Sequence, residues 1–309
     1  LKSGKLDFSL VPRALAEGYG WLWCFIALAA QAVLASIRWG VLLRIKTKQK
    51  IPLISLLRVT WIGLFFNCFL PGAVTGDLIK LVYAKDLDKD FSKTFLITSV
   101  LMDRVLGLMA LLSILGFASA LYYHEIVALS PRMESLVHFN FLLFAGAIIF
   151  LALLFLPQWI QEKAMALAER VPLLGSKIKK TLDQVWSIGH NKMTVALALA
   201  ISLAAQLLSF FAFWVISHPF YGESIPLPYI FTFIPLGFMA VAVPISPAGL
   251  GVGHVIFDRL FHFAGVDGGA SFFNLFFLCM VALNFLGIIP YLLSGKKHGL
   301  DEAQEFDQS

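Results

Sequence analysis

Three groups of residues in this chain combine types and spacings that bear chemistry. The first is Thr75-Gly76-Asp77, with Lys80 about one helical turn further on. It follows Pro71-Gly72, a pair that ends one helix and lets another begin, and Thr75 suits the N-cap of the new helix. The free N–H groups and positive dipole end of such a helix favour an anion such as a phosphate, and Lys80 adds a full charge. Asp77 competes with a phosphate for the same donors, so it either pairs with a basic residue or carries a coupling proton. The plainer alternative is that Asp77 caps the helix while Lys80 snorkels to the membrane surface.

The second group is Asp103-Arg104, set in an otherwise apolar stretch. Each such charge costs about 3 kcal/mol at the centre of a membrane helix. Neighbours on a helix point about 100° apart, so the two cannot neutralise each other and need partners from elsewhere. Arg58 and Asp77 are the candidates, whether the network is structural or touches a substrate. The third group is Ser246-Pro-Ala-Gly249-Leu-Gly251-Val-Gly253-His254. Its glycines permit positive φ and close backbone approach. His254, Asp258 and His262 share one helical face; a polar lining accounts for them better than a metal site, and no metal or other cofactor is expected. Asn67 and Asn284 suit hydrogen bonds to backbone freed at the breaks. No Gly-Lys-Ser/Thr follows the glycines and no Gly-x-Ser-x-Gly is present, so neither a nucleotide loop nor a serine nucleophile is read here.

The elements that must position these groups are membrane helices. Hydrophobic residues make up 59% of the 309 and charged ones only 14%, about half the share of a soluble domain. With a mean hydropathy of +0.82, the chain is all-α and polytopic, a single membrane domain over 1–309. Full spans are read at 19–43, 94–122, 139–156, 193–217 and 270–293. The formal charge of +5 comes from loops beside these spans, which points to positive-inside topology and away from nucleic acid. By that rule the loops at 44–50, 80–93, 158–192 and 296–297 face the cytoplasm. Trp39, Trp159, Trp186 and Tyr291 then mark inner interfaces, and Arg38-Trp39 reads as an interfacial anchor. Cys24, Cys68 and Cys279 lie in apolar segments and read as small buried hydrophobes without a disulfide.

The charge rule also constrains the broken segments. A full crossing at 51–70 inverts every later loop, so 51–84 is expected to enter from the cytoplasm, turn at Pro71-Gly72 and return; two short crossings satisfy the same charge count, so the depth of the turn stays open. The segment 229–264 likewise enters from outside and turns within 244–251. Backbone opened at membrane depth survives only inside protein or beside a wet cavity. Span, hairpin, span therefore occurs twice, at 19–122 and 193–293, with 139–156 between them flipping the second copy: an inverted-topology repeat with two re-entrant hairpins. The stretch 157–192 reads as a cytoplasmic amphipathic linker broken near 171–175, and 294–309 as a polar tail. The start at Leu1 without a signal peptide points to a missing upstream segment or an unusual start.

Taken together, these residues resemble the flippase-like membrane domain of lysylphosphatidylglycerol synthases and their stand-alone relatives. The matching positions are Arg38-Trp39, then Gly63, Asn67, Pro71-Gly72, Thr75-Gly76-Asp77 and Lys80, then Asp103-Arg104, and finally Ser246-Pro247, Gly249 and Gly251. The resemblance implies a bacterial inner-membrane protein that moves a lipid headgroup between leaflets. Three positions depart from the family pattern: Thr75 stands for Gly, Lys80 for Arg and His254 for Glu. A lysine lacks the forked contact of arginine with phosphate, so headgroup selectivity is expected to differ. Only a short tail follows the last span, and lysyl-lipid synthesis is not expected.

The function expected from all this is a flippase-like transporter of a lipid with an anionic headgroup, met by both helix beginnings with Lys80 and Arg104 assisting. It is expected to be a transporter rather than an enzyme, with a lipid-modifying enzyme as a conceivable partner and the oligomeric state open. Two rivals are a membrane transferase using Asp77, Asp103 and His254 for acid–base chemistry, and a scaffold for a lipid synthase.

Overall fold

A computed structural model describes residues 9–16, 18–47, 49–69, 75–88, 90–169, 175–220, 225–242, 249–263 and 265–294. Pro71, Gly72 and Ser246 lie outside the described residues, so the tips of both expected hairpins are not characterised. Among the described residues every regular element is helical.

Five helices are long and apolar enough to cross a membrane: α2 (Gly20–Leu43), α5 (Lys93–Leu121), α7 (Pro131–Leu154), α10 (Lys192–Ser217) and α13 (Gly269–Phe285), which α14 (Ile288–Leu292) extends. At 24 residues, α2 is about 36 Å long and exceeds a hydrocarbon core of about 30 Å. All five coincide with spans expected from hydropathy. One boundary differs: α7 starts at Pro131, eight positions before the apolar run, because proline suits the first helical turn and the polar start simply continues the helix. Ser92 caps α5, its hydroxyl accepting the Phe95 N–H at 3.2 Å.

Between the spans of each half lie two shorter helices. These are α3 (Leu53–Phe69) and α4 (Thr75–Lys85) in the first half, α11 (Leu227–Ala242) and α12 (Val252–Phe263) in the second. α4 packs on α3 and α5; α12 packs on α11 and α13. The long helix α2 lies along α10, and a Cβ on Gly20 would come 2.8 Å from the Val215 carbonyl oxygen. The start of α2 thus meets the end of α10, and the two run antiparallel. Contacts among the long and short helices of the two halves include matched sets: α5 on α10 and α13 on α2, α5 on α11 and α13 on α3.

The linker consists of α8 (Gln158–Glu169) and α9 (Gly175–His190), on either side of the expected break. It is docked rather than solvated. Trp186 Nε1 donates to the Leu153 carbonyl at 3.1 Å, Gln161 Nε2 donates to Leu156 O at 2.7 Å, and Gly189 lies against the Leu154 carbonyl where no Cβ fits. Trp186 and Trp39 are buried, which corrects their reading as interfacial anchors; Trp159 is exposed. Helix α6 (Tyr123–Val127) closes the turn before α7. A further helix, α1 (Leu10–Ala16), packs against α2 and α13 through Ala14 and sets Arg13 over the Phe220 ring at 5.4 Å. Seven residues are too few for a hydropathy window, and sequence reading passed over it.

The two halves have different cores. Around α12 and α13 the core is aromatic, with Phe257 stacked between Phe213 at 4.8 Å and Phe273 at 5.0 Å. Where α2, α4, α5 and α10 converge, charged side chains are buried instead.

Candidate functional site

The site begins with two glycines. Gly63 on α3 and Gly76 on α4 face each other so closely that a Cβ on Gly76 would overlap the Gly63 carbonyl oxygen and Asn67 Oδ1. This approach lets Asn67 Oδ1 accept the Gly76 N–H at 3.1 Å, satisfying one donor at the start of α4. α4 begins at Thr75, within a residue of the expected boundary, although the Thr75 side chain lies outside the described atoms. The expectation that Asn67 serves opened backbone holds. Asn284 differs: its Nδ2 donates to Cys68 Sγ at 3.4 Å, a side chain rather than backbone.

From that beginning α4 carries Asp77 and Lys80 towards α5 and α2. Asp77 pairs with Arg104 Nε, as the sequence suggested. Lys80 does not snorkel. It is 6% exposed, and its ammonium sits 3.9 Å from the centroid of the Trp39 ring, a close cation–π geometry. The indole is fixed in turn, with Nε1 donating to Ser99 Oγ at 3.2 Å while that hydroxyl donates to Leu96 O at 2.7 Å.

Asp103 is met by a residue that sequence reasoning had assigned elsewhere. Arg38, near the end of α2, donates from Nε to Asp103 Oδ1 at 2.7 Å and from Nη2 to Oδ2 at 2.9 Å. Its remaining terminal nitrogen, Nη1, donates to Ser202 Oγ of α10 at 3.0 Å. A forked guanidinium bonded through each of its three nitrogens is the geometry in which a buried ion pair holds. Gly107, one turn along α5 from Asp103, leaves room for it: a Cβ there would lie 3.0 Å from Nη1. Arg38 is therefore a structural member of the site and not an interfacial anchor. The signal was present, since a buried Asp103 demands a cation and Arg38 is the one charged residue of its span. Gln206 on α10 also faces inwards, donating to the Gly107 carbonyl at 3.1 Å.

Arg58, offered as a partner for Asp103, is elsewhere. It is exposed and lines a cavity of about 260 Å³ with Ser55, Tyr83, Asp86 and Ser294, where the ends of α3 and α4 meet.

The glycines of the second break gather separately. Gly249 and Gly251 have φ of +78° and +83°, as their types suggested. Gly253 lies against the tip of the Phe273 ring, which leaves no space for a Cβ. His254 turns towards α13: Nε2 lies 3.3 Å from Asn274 Oδ1, and the ring meets Phe273 edge-on at 5.0 Å. With the proton on Nε2, that contact is a hydrogen bond and the buried Nδ1 is an acceptor without a partner. His262, two turns further along the same helix, is exposed and lies 3.4 Å from Asp267, whereas His254 is half-buried. Among the described residues no three metal-ligating side chains converge.

The assembled site thus comprises Gly76, Asp77 and Lys80 of α4, Asn67 of α3, Arg38 and Trp39 of α2, Asp103 and Arg104 of α5, and Ser202 of α10. Its cationic side chains can attract an anion by charge, and the positive end of α4 adds to that attraction. A family model described as Lysylphosphatidylglycerol synthase TM region matches residues 2–289 of the chain. The searches of curated proteins and of solved structures returned no match.

Proposed function

We propose, for a chain that belongs to the lysylphosphatidylglycerol synthase TM family, a flippase-like transporter that moves a lipid with an anionic headgroup between the leaflets of the bacterial inner membrane. The membrane setting and the lipid-related family are the premise. The observation that carries the reading is the charged cluster itself: Arg38, Lys80, Asp77, Asp103 and Arg104 on helices of membrane length or depth, assembled at the amide-rich start of a broken helix. Ionisable groups in such a setting are costly and are retained for substrates, ions or protons.

Alternating access is the mechanism this reading implies. The antiparallel course of α2 and α10, and contact sets that exchange when one half is swapped for the other, support an inverted repeat comprising 19–122 and 193–293. In it, α3–α4 and α11–α12 are re-entrant hairpins entering from opposite faces, and α12 with Gly249, Gly251, Gly253 and His254 is the counterpart of α4. The headgroup meets Lys80, Arg104 and the start of α4 while its acyl tails stay in lipid. A lipid-modifying enzyme that makes or uses the moved lipid is the fitting partner.

The test is reconstitution of the full chain into vesicles with fluorescent lipids, following exchange between leaflets. The expected result is acceleration that Asp77→Asn or Arg104→Gln alters. Absence of acceleration with every headgroup would end the reading.

A further inference from the structure

We infer that the loop joining α2 to α3 is a docking cradle for the headgroup of an anionic phospholipid, in the leaflet where α2 ends and apart from the buried cluster. Arg44, Thr47, Gln49, Lys50 and Ile51 line a cavity there of about 650 Å³, within the range of small-molecule sites. Arg44 and Lys50 are both exposed, and among the described residues neither is held in an ion pair. Arg44 directly follows α2, six positions beyond Arg38 and about 9 Å along the helix axis, so the cradle lies at another level from Asp103. A lipid held here need not be one that the protein moves.

The loop is tied in place. The Lys46 and Thr47 N–H groups bond back to the Leu43 carbonyl at 3.2 and 3.3 Å, which continues the last turn of α2. Thr47 Oγ1 accepts the Gln49 N–H at 3.1 Å and donates to Asp88 Oδ2 at 2.5 Å, joining this loop to the connection between α4 and α5. The Asp88 carboxylate is thereby taken up by the Thr47 hydroxyl and the Asp90 N–H rather than by either cation. Helix α3 begins two positions after Ile51, and its positive dipole end lies at the same loop. Cations that only complement the negative end of α2 would account for Arg44 but not for Lys50, which stands beyond that helix.

The neighbours decide between a lipid and a soluble anion. Arg44 borders the end of a membrane span, and just past the cradle Leu53 and Ile54 stand 44% and 72% exposed at the start of α3. One amphiphile satisfies both surfaces, its phosphate between the two cations and its acyl chains against these side chains. A soluble phosphate leaves the apolar pair uncovered. Basic residues beside a span attract anionic lipid in this way. A phosphatidylcholine headgroup carries the same phosphate but brings its own ammonium up to Arg44 and Lys50.

The experiment uses the full chain, with Ile54 replaced by photoreactive benzoylphenylalanine, in vesicles of equal parts phosphatidylglycerol and phosphatidylcholine. After illumination, mass spectrometry identifies the lipid joined at position 54, so lipids held at the buried cluster do not enter the ratio. Phosphatidylglycerol should be captured about tenfold over phosphatidylcholine, the order expected of two cations at a membrane surface. Arg44→Gln or Lys50→Gln alone should lower that preference about threefold, and the two together should bring it to one. Both side chains are exposed, so neither change opens the core. Concentrated salt should weaken the preference of the parent as well. Millimolar inorganic phosphate, matched in ionic strength by chloride, should leave capture unchanged; a fall would mean that the cradle takes free phosphate, and the lipid assignment would be lost. Equal capture of the two lipids, a preference unmoved by the double variant, or no lipid captured at all overturns the inference.

Discussion

Arg38 grips Asp103 through both carboxylate oxygens, at 2.7 and 2.9 Å, in the interior of the helix bundle. Removing one member leaves the other as a buried, uncompensated charge. Arg38→Ala is therefore expected to cost about 3–5 kcal/mol, whereas Arg38→Met combined with Asp103→Leu should cost much less. Thermal unfolding in detergent reads both. A single variant as stable as the parent would mean that Asp103 finds another cation or water.

Gly76 is where α4 can approach α3, because any side chain would strike the Gly63 carbonyl and Asn67. Gly76→Ala should destabilise by about 1–3 kcal/mol through overpacking and should abolish lipid movement by shifting Asp77. Asn67→Ala removes only the cap on the Gly76 N–H and should cost about 1 kcal/mol. If the two variants prove equally mild in both assays, the glycine contact does not position the site.

The second break separates backbone conformation from packing. Gly251 has φ of +83°, and open space surrounds the point where a methyl group would stand, with nothing within 4 Å. Gly251→Ala should therefore cost about 1–2 kcal/mol from conformation alone. Gly253→Ala meets the Phe273 ring instead and should prise α12 from α13, disturbing the contact between His254 and Asn274. Accessibility of single cysteines along α12 distinguishes these outcomes: it should rise in the second variant only.

One pH effect is open to test outside the spans. Asp88 accepts the Thr47 hydroxyl at 2.5 Å and the Asp90 N–H at 3.0 Å, and these bonds, the hydroxyl first, hold its carboxyl below its ordinary value of 3.8. A folded-state value below the unfolded one contributes stability that is present above the ordinary value and is lost as pH falls through the depressed one. The difference in unfolding temperature between the parent and Asp88→Asn should thus be full at pH 7 and shrink below about pH 4. A difference that stays constant with pH would show that the side-chain bonds do not contribute through ionisation.

Hydropathy made the five spans legible because a run of apolar residues is a local property of the chain. The short helices α3, α4, α11 and α12 were legible too, since proline and glycine punctuate them. The pairing of Asp77 with Arg104 followed from a rule of charge balance with few choices available. Arg38 was misread for a different reason. Its position at the end of an apolar run matches a snorkelling anchor equally well, and only the packing of α2 on α5 and α10 decides which way the guanidinium points. Lys80 illustrates the same limit: its inward turn depends on Trp39, some forty positions earlier in the chain, and no local pattern encodes that meeting. The difference in burial between His254 and His262 reflects where α13 covers α12, which is again a property of the assembled bundle.

The stacking of the Lys80 ammonium on Trp39 gives the protein a reporter of its own. The Lys80 ammonium covers one face of the indole, 3.9 Å from the ring centroid, and is the nearest charged group in that ring's surroundings. Any occupant that draws the ammonium aside changes those surroundings and with them the light Trp39 emits. Subtracting the spectrum of Trp39→Phe isolates that signal, so occupancy can be followed without attaching a dye to the chain.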